Sequence, residues 1–190
     1  MLMLMLSTVI ILKARGKTGA MIAIPLLFGM IGDIILLKPE GKRFLLGAGS
    51  FLVEHLCWIF IYMRAGVFIQ LPMLFIIPTI AVYIVFLGIL FFLIGKPQGG
   101  MGIGILIYGA ILCALHFTSL ASFFRLPLSH SLLIPPLFFI GSTLFLISDT
   151  MLGLSVCREP FPKSDFFIMG TYIAAQVLIA VAALHLGAIF

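Results

Sequence analysis

Charge is what this chain has least of: Asp, Glu, Lys and Arg together make 9% of its 190 residues, against roughly a quarter in a soluble domain. That scarcity excludes a solvent-exposed globular protein. Asn is absent altogether, so there is no N-glycosylation acceptor. The three cysteines, Cys57, Cys113 and Cys157, have no C-x-x-C spacing and imply neither a disulfide framework nor a zinc site. A G-x-S-x-G elbow is missing, which removes the usual serine-hydrolase arrangement. No Gly-rich phosphate loop of the P-loop kind and no HExxH pair occurs. No lysine lies in the middle of an apolar run, which argues against a retinal Schiff base. The opening MLMLMLSTVIIL has no positive n-region and no A-x-A site, so a cleaved signal peptide is not expected.

What is present is hydrocarbon. Hydrophobic residues make 63% of the chain, Phe alone numbers 19, and mean hydropathy is +1.34. Windows of about 20 residues, the length a bilayer requires, predict six full spans at 19–37, 44–63, 72–94, 101–123, 132–154 and 166–189. A shorter apolar segment at 1–12 gives only about 18 Å of helix, less than the roughly 30 Å hydrocarbon core. The expected fold is therefore all-α: one integral membrane domain over 1–190, a bundle of about seven helices. The connectors are short and turn-like. Lys and Arg outnumber Asp and Glu by 11 to 6 and lie mostly in those connectors. There they meet lipid headgroups, and no nucleic-acid partner is implied.

Two aspartates break the pattern. Asp33 and Asp149 sit inside spans, where a carboxylate is costly unless paired, hydrated or protonated, so each marks a functional-site candidate. Both spans run in the same direction, and each aspartate lies four or five residues before the end of its predicted span. That puts both about 6–8 Å inside one membrane face, called side two here. Other polar groups gather at that level. Tyr172 and Gln176 are four apart and share a helix face. Phe51, His55, Trp58 and Tyr62 form one stripe, with Glu54 some 100° away from His55 and its role open. Tyr108 lies at a similar level; Ser148 adjoins Asp149 on its helix, and Ser142, seven residues before Asp149, shares its face two turns away. A polar pocket opening toward side two is expected.

Two carboxylates in one low-dielectric pocket do not both ionise cheaply, so the pair would supply a general acid beside a general base. His55 needs a partner at that depth, and a carboxylate from another helix is the natural one. The alternatives are helix-end carboxylates lifted into the headgroups, or ion pairs to Lys38 or Arg158. Asp33, His55 and Asp149 could in principle supply three metal ligands, but no HxxxH or HExxH spacing supports a metal, and no cofactor is expected. His116 and His185 lie nearer side one and read as structural. A faint internal echo relates GMIGDIILL and GSFLVEH to TLFLISDTMLG and GTYIAAQ. With the intramembrane carboxylates, it supports a proton-coupled transporter as a second hypothesis; a noncatalytic receptor or scaffold is a third. Five basic residues on side one against six on side two assign no orientation.

Four segments in order, LLFGMIGDIILL with Asp33, GAGSFLVEHLCW with His55, GSTLFLISD with Asp149 and TYIAAQVLI with Tyr172 and Gln176, resemble the YhhN-type lysoplasmalogenases. The likeness spans roughly residues 26–179. It implies hydrolysis of the vinyl ether of a lysoplasmalogen to a fatty aldehyde and glycerophosphoethanolamine or glycerophosphocholine. Asp33, Asp149 and His55 would be catalytic. Tyr172, Gln176, Trp58, Tyr108 and Ser148 would bind substrate, with the headgroup reaching Lys38, Lys42 or Arg158. The partners implied are a lysophospholipid and the bilayer of the cell membrane. The chain departs from the family pattern in having Trp58 where a Tyr is usual and Glu54 where a small polar residue is usual. Members have eight segments and a Lys-Pro motif, so the abrupt start is read as a missing first helix.

Overall fold

The computed structural model describes residues 17–37, 42–64, 66, 71–95, 101–125, 132–158 and 160–187. Six helices account for nearly all of them: α1 Lys17–Leu36, α2 Lys42–Arg64, α3 Met73–Ile94, α4 Met101–Arg125, α5 Ile134–Cys157 and α6 Ser164–Gly187. All six are long and apolar enough to cross a membrane, because backbone groups in hydrocarbon must pair within their own segment. The chain is thus a multi-pass membrane protein. The short segment expected at 1–12 lies outside the described residues. Observed helices run up to three residues past several predicted ends; α5, for instance, continues to Cys157 before Arg158 turns extended.

Helix neighbours define a ring. α1 packs on α2, α2 on α4, α4 on α5, α5 on α6, and α6 returns to α1; the pairs α1–α2 and α5–α6 are the most intimate. α3 stands outside, leaning on α4 and α5. Only Ile94 of α3 is buried, while Leu74 and Phe92 are more than four-fifths exposed. In a bilayer those exposed side chains meet lipid. One polar tie holds α3 in place: the Tyr83 hydroxyl lies 2.6 Å from His116 Nδ1 on α4, and His116 Nε2 lies 3.0 Å from Thr143 on α5. His116, expected to be structural, thus links three helices.

Lipid tails are as apolar as leucine, so burial alone does not drive helices together; close packing at small residues and interhelical hydrogen bonds do. Gly32 receives the Phe51 ring, Gly47 receives Leu36, and Gly141 lets α6 approach at Ala175 and Ile179. Ser50 donates to the Phe28 carbonyl at 2.6 Å, and Ser142 to Ser119 Oγ at 2.7 Å. Inside the ring Tyr62 stacks on Phe138 with centroids 3.5 Å apart, among Leu26, Leu115 and Ile179.

The two kinds of glycine predict opposite signs of mutational effect. A Cβ at Gly141 would stand 2.8 Å from Ile179 Cγ1 and 3.1 Å from the Ala175 carbonyl and the Ile179 nitrogen. Gly141→Ala should therefore push α5 off α6 and lower stability by about 1–3 kcal/mol. A Cβ at Gly153 on the same helix meets nothing, so Gly153→Ala should raise stability by up to about 1 kcal/mol through helix propensity. Unfolding of purified protein in detergent, titrated with SDS, reads both. Equal changes in the two variants would discount the packing account.

Candidate active site

The polar side chains expected near side two meet inside the ring as two branches. The first centres on Asp149 of α5, whose side chain is 7% exposed. Its Oδ2 accepts a hydrogen bond from the Tyr108 hydroxyl of α4 and lies 3.4 Å from His55 Nε2 of α2. The same His55 nitrogen is 3.3 Å from the Tyr108 oxygen. One imidazole nitrogen thus faces both partners, while Nδ1 is buried without one. The Phe145 edge packs on the imidazole, 4.6 Å between centroids, and Phe145 in turn meets Tyr172. A carboxylate, an imidazole and a phenol from three helices therefore form one closed set.

The second branch centres on Glu54 of α2, which is fully buried. Glu54 Oε1 accepts from Gln176 Nε2 of α6 at 2.5 Å and from Trp58 Nε1 at 3.3 Å. Gln176 Nε2 also donates to the Tyr172 hydroxyl at 3.3 Å, and that hydroxyl engages the Asp33 carboxylate of α1. Gly29 makes the space for Glu54, since a Cβ there would lie 2.7 Å from Glu54 Oε2. Glu54 Oε2 and Gln176 Oε1 have no hydrogen-bond partner among the described residues.

Several sequence expectations change at this point. No hydrogen bond or ion pair among the described residues joins Asp33 to Asp149. They belong to separate branches that meet at the adjacent residues Glu54 and His55 and across the Phe145 ring, which packs on both His55 and Tyr172; Glu54 lies within electrostatic reach of both aspartates. The alternative pairing of either aspartate with Arg158 is not found among the described residues; His55 is the basic side chain that touches a carboxylate, and Lys38 lies outside them. Trp58 and Gln176, expected to bind substrate, are fully buried and occupied with Glu54. Ser148 turns away as well. It is buried, and its hydroxyl donates to the Ile168 carbonyl at 3.0 Å, tying α5 to α6. Among the described residues no trio of His, Cys, Asp or Glu converges as a metal site would require.

The expected polar pocket takes another form. A cavity of about 190 Å³ lies between α3 and the ring, walled by α2, α4, α5 and the end of α1. Its lining is almost wholly apolar, from Phe44, Leu45 and Ile94 near side two to Phe51, Leu52 and Leu112 deeper in. Leu45 to Leu52 alone covers about 10 Å of helix. Tyr108, Asp149 and Thr150 are the polar side chains on its wall. Among the described residues no Lys or Arg lines it. Lys38 and Lys42, expected to meet a lipid headgroup, have side chains outside the described set, and Arg158 is exposed just beyond α5. Two members of the trio, Tyr108 and Asp149, thus lie on the wall of a largely apolar cavity.

Glu54 is the residue that sequence reasoning left without a role. Two departures from the family pattern, Glu54 and Trp58, turn out to be hydrogen-bonded to each other one helical turn apart. The available signal was that spacing, since residues i and i+4 on a helix are neighbours.

The model of the YhhN family matches residues 1–183 of the chain. No curated protein and no solved structure matches it.

Proposed function

The chain belongs to the YhhN family, the family of lysoplasmalogenases, and from that membership we propose that it hydrolyses the vinyl ether bond of lysoplasmalogens within the cell membrane. One observation carries this reading: Asp149, hydrogen-bonded to Tyr108 and beside His55, lies on the wall of an otherwise hydrocarbon-lined cavity. A vinyl ether attached to an alkyl chain needs that combination.

The chemistry follows from the bond. Protonation of the vinyl carbon farther from oxygen converts the double bond to an oxocarbenium ion. Water adds to the cationic carbon and loses a proton, and the resulting hemiacetal expels the glycerol oxygen. The products are a fatty aldehyde and glycerophosphoethanolamine or glycerophosphocholine. Asp149 delivers the first proton as general acid, and the carboxylate it leaves steadies the adjacent cation and then takes the proton from water. Tyr108 and His55 hold that carboxyl group in place, and when the hemiacetal opens its hydroxyl proton passes to the departing glycerol oxygen. Apolar walls limit water to the reacting carbon and strengthen every electrostatic contact there.

Asp33 does not line the cavity, and we assign it a positioning role. Through Tyr172 and Gln176 it steadies Glu54, the neighbour of His55 in sequence. This revises the expectation of an acid–base pair made of the two aspartates. The decisive experiment supplies purified protein with 1-alkenyl and 1-acyl lysophospholipids of equal chain length. Aldehyde should appear from the alkenyl lipid alone. Fatty acid release from the acyl lipid, with no aldehyde, would overturn the reading.

A further inference from the structure

We propose that Thr150, the residue after Asp149, is a specificity-determining residue whose hydroxyl hydrogen-bonds the free hydroxyl on the middle glycerol carbon of the substrate. The inference rests on the reading above for its substrate and adds the group that recognises the glycerol.

Threonine inside a helix can settle its hydroxyl on its own backbone, donating to the carbonyl one turn back. Among the threonines with described side chains, Thr79, Thr118, Thr143 and Thr171 do this, each 2.7 Å from the carbonyl four residues earlier. Thr150 does not. Its hydroxyl has no hydrogen-bond partner among the described residues. Nor is it one of the unpartnered oxygens sealed in the interior, which belong to Glu54, Tyr62, Ser155 and Gln176. It stands instead on the wall of the cavity between α3 and the ring, next to Asp149. The other polar side chains on that wall, Tyr108 and Asp149, are hydrogen-bonded to each other. A hydroxyl without a partner is costly in apolar surroundings, and its own helix offers one. Thr150 is therefore a polar group held open toward whatever enters the cavity.

Position names the partner. Asp149 lies much closer to the end of α5 at Cys157 than to its start at Ile134, so side two is the nearer face and the one where a headgroup rests. Thr150 is one residue farther toward that face, a rise of about 1.5 Å. A substrate whose vinyl carbon meets Asp149 extends its glycerol past Thr150. Neighbouring side chains on a helix diverge by about 100°, so Thr150 reaches the cavity beside the reacting carbon. The middle hydroxyl of the glycerol stands beyond the ether oxygen and one further carbon, on that side. The ether oxygen is the poorer partner, because it gains positive charge as the oxocarbenium ion forms and a donor there opposes the reaction. The alkyl tail has no polar atom to offer. Two hydroxyls, in contrast, pair in either direction. An acyl group on the middle oxygen removes its O–H and adds a chain beside Thr150, so the same contact disfavours two-chain lipids.

The test crosses protein and substrate, with the full chain in lipid nanodiscs. The parent, Thr150→Val and Thr150→Ser are each given a 1-alkenyl lysophosphocholine and its 2-deoxy counterpart, which lacks only the middle hydroxyl. On the lysolipid, Thr150→Val should lower kcat/KM by about 10-fold, the scale of one hydrogen bond whose partner is left unpaired. Deleting the substrate hydroxyl should cost the parent about as much, and making both changes should cost no more than either. Thr150→Ser, which keeps the hydroxyl, should discriminate between the two lipids as the parent does. Saturable binding of the saturated 1-alkyl ethers, with and without the middle hydroxyl, should show the same pattern. Losses that multiply when both groups are removed would assign Thr150 to water or to packing and overturn the contact. So would a Thr150→Val protein that discriminates as well as the parent. If the parent releases no aldehyde from any alkenyl lipid, the hydrolase reading fails, and the ether-binding cycle decides the Thr150 contact by itself.

Discussion

Asp149→Asn is expected to cut aldehyde release by about 10²–10⁴-fold, the usual range for removing a general acid, with little change in stability. The substitution is close to isosteric. Tyr108 and His55 both meet Oδ2, and the Asn carbonyl oxygen in that position can accept the Tyr108 hydroxyl and, from the Nε2–H tautomer, the imidazole N–H, so both contacts survive. What disappears is a group able to give a proton to carbon and recover it. Tyr108→Phe leaves the carboxyl in place and removes one hydrogen bond to it, so its loss should be nearer 10-fold. Asp33→Asn should resemble Tyr108→Phe, because Asp33 reaches the Asp149 branch indirectly, through Tyr172 and then Gln176 and Glu54 or the Phe145 ring. Initial rates of aldehyde release from one alkenyl lysolipid rank the three. Asp149→Asn within threefold of the parent would remove Asp149 from the chemistry. Equal large losses at Asp33 and Asp149 would restore the two-aspartate pair.

That ranking marks where sequence reading stopped. The six full spans and a carboxylate partner for His55 were legible because hydropathy fixes helix length and a histidine in hydrocarbon needs a partner. Tyr172 and Gln176 share a face as their four-residue spacing requires, and Gln176 donates to Tyr172. Whether Asp33 and Asp149 meet was not legible. Depth along the membrane normal says nothing about position around a ring, and α1 and α5 are not neighbours in it. Glu54 escaped for a related reason. A residue 100° from His55 looks outward on a helix with one buried face, but α2 has α1 on one flank and α4 on the other. Both flanks are interior. The pocket was misread as polar because polar residues in an apolar sequence draw attention. Its walls are the ordinary Leu, Ile, Phe and Gly of four helices, which no local pattern distinguishes from lipid-facing positions.

The second large effect belongs to Glu54, where two substitutions should separate by several kcal/mol. Glu54→Ala leaves the Trp58 indole N–H without an acceptor and takes one from Gln176, each stranded donor costing about 1–3 kcal/mol. It also empties space that the packed core fills only in part. A loss of about 3–5 kcal/mol is expected, comparable to breaking a buried charged contact. Against this stands the cost of keeping a carboxyl group out of water, which the substitution relieves; relief is incomplete because the donors around it stay buried. Glu54→Gln avoids both penalties. Its carbonyl oxygen can accept from Gln176 and Trp58 where Glu54 Oε1 does, and its amide replaces Oε2, an oxygen with no partner. Gln176 Oε1 also lacks a partner, so the new N–H has an acceptor on the same neighbouring side chain. Glu54→Gln should therefore match or exceed the parent by roughly 1 kcal/mol and retain aldehyde release, since Asp149, Tyr108 and His55 are untouched. SDS-induced unfolding in detergent measures the two variants. If Glu54→Gln is as unstable as Glu54→Ala, the ionisable group itself holds the second branch together, and the hydrogen-bond account of Glu54 is wrong.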